Sequence, residues 1–112
     1  MNDTITNRTQ MDQRAAAANA FTEAIIRYLH KPTEQLKAVM ETKMETYSNH
    51  LNQPGALEDL QETIMLLESG DEETWVLIQR GALFLIENDP ELKILFIKAA
   101  QKHNLNNFDW VI

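Results

Sequence analysis

Residues 66–75 read LLESGDEETW, and how they are read decides how the rest of the chain folds. Leu66 and Leu67 end an apolar run. Gly70 suits a helix C-terminus, because it enters the left-handed backbone region without a steric penalty. Asp71 has the short acceptor side chain of a helix N-cap. Glu72 and Glu73 put negative charge where the dipole of a following helix favours it. The stretch predicts one helix ending at about Ser69 and a second starting at about Glu72.

Upstream of the junction, Leu57, Leu60, Ile64 and Leu67 recur at three- and four-residue steps, the spacing of one helix face, and Met65 and Leu66 widen that face. This predicts a helix over 56–69, preceded by turn chemistry at Asn52–Gly55, NQPG. Further back, Leu36, Met40, Met44, Tyr47 and Leu51 form a stripe on a helix that starts near Pro32, with the proline in its first turn. Met11, Ala15, Ala18, Phe21, Ile25 and Tyr28 with Leu29 predict a first helix over 9–29. Ala15 to Ala18 favour helix and leave room for a close neighbour. Residues 1–8 are polar and are expected to form a flexible segment ahead of a single helical domain, 9–112.

Downstream, the helix over 72–87 is the most apolar. Glu73, Arg80 and Glu87 make a narrow polar stripe, and Trp75, Val76, Leu77, Ile78, Leu83, Phe84, Leu85 and Ile86 cover most of the remainder. Such a helix is expected at the centre of a bundle or against a second chain. Gly81 and Ala82 in its middle suggest a close crossing against the alanines of the first helix. Asp89 and Pro90 are good N-cap and first-turn residues. They start a fifth helix running to His103, with Leu92, Leu95, Phe96, Ala99 and His103 aligned. The tail carries Phe108, Trp110, Val111 and Ile112 and is expected to pack on the bundle. The fold class is all-α, a single compact bundle of about five helices, successive ones antiparallel, with the fourth central.

Composition narrows function more than any motif does. The chain has no cysteine, which removes disulfides and thiol chemistry and fits a reducing, cytoplasmic setting. The polar N-terminus predicts no secretory leader, and the most apolar run, 75–86, is too short and polar to span a bilayer. The net charge is −7, and between Lys43 and Arg80 there are eight acids and no Lys or Arg. The rest of the chain holds nine acids (17 less 8) and ten bases. Direct binding to nucleic acid or an anionic membrane is disfavoured, because each needs a basic footprint.

His30, His50 and His103 lie far apart in sequence, and no metal-ligand spacing links them. Glu58 and Glu62 share a helix face but have acids and glutamines as neighbours, which marks a solvated pair rather than an acid–base dyad. No phosphate loop or nucleophile elbow occurs. Neither a catalytic residue, a metal nor a cofactor is expected. Met40, Met44 and Met65 have core-like spacing, the alternative being a flexible groove for helices. Capping accounts for Asp71, Glu72 and Glu73 but not for the missing bases. The segment carrying Glu58, Asp59, Glu62, Glu68, Asp71, Glu72 and Glu73 is either a solvated face or a docking surface for a protein with a basic patch. The expected function is a non-enzymatic interaction module, a small inhibitor or accessory protein such as a phage or plasmid encodes, acting on a basic and possibly nucleic-acid-binding partner. The alternative is a self-assembling structural or adaptor protein, a homodimer using helix 72–87 and the aromatic tail.

Overall fold

The computed structural model describes residues 3–105, with side chains from Asp12 onward. Five helices make an all-α bundle: α1 (Asp3–His30), α2 (Glu34–Leu51), α3 (Ala56–Glu68), α4 (Glu72–Asn88) and α5 (Pro90–Lys102). No strand occurs among the described residues. The expectations for Phe108, Trp110, Val111 and Ile112 lie outside them.

Local chemistry sets most of the boundaries. The Thr33 hydroxyl accepts the Leu36 N–H at 3.1 Å and caps α2, so Pro32 precedes the cap instead of entering the first turn. Gly70 takes a φ of +83° at the α3–α4 junction. The Asp71 carboxylate accepts the Thr74 N–H at 3.0 Å and caps α4. Asp89 accepts the Leu92 N–H at 3.2 Å and caps α5 ahead of Pro90. Two caps and a left-handed glycine thus confirm the helix-stop and helix-start reading of residues 66–75 and 89–90. α1 is longer than its apolar pattern, beginning at Asp3 rather than near Thr9.

The core is built chiefly on α1. Phe21, Ala24, Ile25, Tyr28 and Leu29 are buried at three- and four-residue steps, and α1 contacts α2 most extensively, then α5 and α4. Met40 and Met44 of α2 fill the α1 side, and the Phe21 and Tyr47 rings lie 5.9 Å apart. At the other end Trp75 joins three helices. Its indole Nε1–H donates to the Leu67 carbonyl of α3 at 2.9 Å. Its ring packs on Phe96 at 5.6 Å and on His103 at 5.5 Å, centroid to centroid. Such tilted aromatic pairs add about 1 kcal/mol each beyond area burial.

Helix α4 contacts α1, α3 and α5, yet its apolar girdle is buried on one side only. Trp75, Ala82 and Ile86 face inward, while Leu77 is 60% and Phe84 69% exposed. Gly81 sits on the outer side, where an added Cβ would meet nothing within 4 Å. The expected close crossing at Gly81 is therefore wrong. Its neighbour Ala82 is the small residue that packs inward. The alanines of α1 do not meet α4 through Gly81 either: Ala16, Ala17 and Ala20 line an open groove of about 340 Å³ with Lys43, Thr46 and His50 of α2.

Candidate functional site

Helix α3 positions the acidic segment. Ala56, Ile64 and Leu67 are its buried residues and Leu57 and Leu60 are half-buried. That anchorage turns Glu58, Asp59 and Glu62 outward, and all three are exposed. Met65 and Leu66 continue the same outward face one turn later, since 58–62–65 and 59–62–66 follow helical steps of three and four. Met65 is 68% exposed and Leu66 38%. They do not widen the core face, and Met65 does not join Met40 and Met44 inside. The face is acidic over its first half and apolar over its second.

The seven acids divide by what already holds them. Glu68 Oε2 accepts the Tyr28 O–H at 3.1 Å, a tie from the end of α3 to α1 across 40 residues of sequence. Burial of the phenol, with the hydrogen bond to and charge of Glu68, raises the Tyr28 pKa above its usual 10.0. Asp71 is committed to the α4 cap: its Oδ2 accepts both the hydroxyl and the backbone N–H of Thr74. Those bonds favour the carboxylate, so its pKa lies below the usual 3.8. Glu58, Asp59, Glu62, Glu72 and Glu73 are exposed and make no ion pair among the described residues. The sole salt bridge among the described residues joins Arg27 to Glu23 at 3.1 Å.

A small cavity of about 140 Å³ is lined by Tyr28, Leu29, Pro32, Glu68, Lys102 and His103. Lys102 Nζ, from that lining, donates to the His30 carbonyl at 3.3 Å. Among the described residues no cluster of three or more His, Asp or Glu is disposed to hold a metal ion. None of their helices is long and apolar enough to cross a membrane. Sequence reasoning missed the exposed Met65 and Leu66. The signal was present, because residues 62, 65, 66 and 69 lie on the face opposite Ile64 and Leu67. Comparison with known protein families, curated proteins and solved structures gave no match.

Proposed function

We propose that this protein is a non-enzymatic interaction module that docks the outward face of α3 on a basic surface of another protein, acting as a small inhibitor or accessory subunit in the cytoplasm. One observation carries the reading. Among the described residues, Glu58, Asp59 and Glu62 stand without counter-ions beside exposed Met65 and Leu66. A face that served only solubility would have no use for two large apolar side chains among its acids. A docking face needs both, since the charges steer and select the partner while apolar contacts at the centre supply affinity. A positively charged groove of the kind that tracks a nucleic-acid backbone is the natural complement. Glu72 and Glu73, at the start of α4, extend the negative field.

Four baits test the proposal: wild type, Glu58→Lys/Asp59→Lys/Glu62→Lys, Met65→Ser/Leu66→Ser, and a control reversing Glu34, Glu41 and Glu45 of α2. The proposal expects a protein captured by wild type and the α2 control, lost from both α3 variants, and released by salt. Equal loss from the α2 and α3 reversals would reduce the acids to a general field and overturn it. So would capture that ignores both α3 variants.

A further inference from the structure

One exposed line of α4 is apolar. Leu77 and Phe84 lie seven residues apart on one helix face, 60% and 69% exposed. Arg80 and Glu87 flank that line on one side, and Gly81 and Asn88 on the other, all four exposed. Arg80 and Glu87 have no ion-pair partner within the described chain. Arg80 is also the only Lys or Arg between Lys43 and Lys93. Among the described residues nothing beyond the helix's own backbone approaches the position of a Gly81 Cβ, so no internal contact calls for a glycine that weakens the helix.

We propose that this face of α4 pairs with the same face of a second copy, antiparallel, about a twofold axis beside Phe84. Isologous contact requires a self-complementary surface. In an antiparallel pair related by a twofold axis, each flank of a helix meets the same flank of its copy. Arg80 lies roughly 6 Å before Phe84 along the helix and Glu87 roughly 4.5 Å after it. An axis at Phe84 therefore sets each Arg80 against Glu87 of the second copy, twice. It stacks Phe84 on its own copy, and Gly81 leaves the other flank open to close backbone approach. An axis beside residue 80 would instead oppose Arg80 to itself. A parallel pair would set the charged flank against Gly81 and Asn88. Of the three arrangements, charge favours the first. One helix face is smaller than the roughly 800 Å² per partner of a standard interface, so the dimer is weak.

Sedimentation equilibrium from about 10 µM to 1 mM spans the affinity such a contact supports. Wild type is expected to associate over that range, and Phe84→Ser to remain monomeric. Arg80→Glu and Glu87→Arg each turn two attractive pairs into repulsive ones and are expected to weaken the dimer about tenfold. Mixing the two variants restores opposite charge at both contacts, and a heterodimer is expected. All of these positions are exposed, and far-UV circular dichroism checks that the helices persist. Reversing the α3 acids is expected to leave the dimer intact, which keeps this test separate from that of α3 docking. Wild type that is monomeric throughout the range would overturn the proposal, as would a variant mixture no more associated than its components.

Discussion

Replacing Gly81 by Ala is expected to stabilise the protein. Gly81 lies inside α4, nine residues after Glu72 and seven before Asn88. Its φ is not in the left-handed region, where among glycines only Gly55 and Gly70 fall. Among the described residues, a Cβ there would meet no atom within 4 Å beyond its own helix backbone, so the substitution adds no clash. What remains is the backbone term. Glycine loses more freedom on entering a helix than alanine, which is worth about 0.5–1 kcal/mol in a helix interior. In a domain of this size that raises the melting temperature by roughly 2–4 °C. Thermal and urea unfolding followed by circular dichroism measure it, at low micromolar protein so that association does not contribute. An unchanged urea m-value with a higher midpoint would place the effect in stability alone. A lower melting temperature would show that Gly81 is packed after all, and that the outward assignment of the Leu77–Phe84 line is wrong.

Gln79 is 1% exposed and its Nε2 has no hydrogen-bond partner among the described residues. Gln79→Met, similar in shape, should therefore raise stability by about 1–2 kcal/mol in urea titrations by relieving an unmet donor. Tyr28 has a folded pKa above 10.0, so its contribution is full below that value and fades as pH rises through the folded pKa. Tyr28→Phe should flatten the alkaline arm of a stability–pH curve. Asp71 has a folded pKa below 3.8, so its contribution is full above that value and fades as pH falls through the folded pKa. Asp71→Ala should lower the melting temperature at neutral pH, and the gap to wild type should close in acid.

Local signals were readable from the sequence because their physics is local. Gly70 with Asp71, and Asp89 with Pro90, mark boundaries through bonds that reach only three residues along the chain. The stripes of α2 and α5 were equally legible, since a helix buried on one side repeats its apolar residues at a fixed step. What failed was orientation where apolar residues exceed one face. In α4 the girdle is too wide to reveal which side turns inward, so Gly81 was placed at a crossing that its neighbour Ala82 serves. In α3 the same excess hid the exposure of Met65 and Leu66. The Tyr28–Glu68 bond had no signal at all: it joins helices 40 residues apart and withdraws one acid from the candidate face.

The most direct test of α3 as a contact surface is an NMR titration of the isotope-labelled protein with a short amphipathic peptide of alternating lysine and leucine. Helix α2 supplies the internal comparison, because its exposed Glu34, Glu41 and Glu45 are interspersed with exposed Lys37 and Lys43. If the outward face of α3 is built for docking, the largest shift changes fall on Glu58, Asp59, Glu62, Met65 and Leu66, and they shrink when Met65 and Leu66 are replaced by serine. Changes spread evenly over the acids of α2 and α3, and indifferent to that replacement, would contradict the account and leave the segment a solvated face.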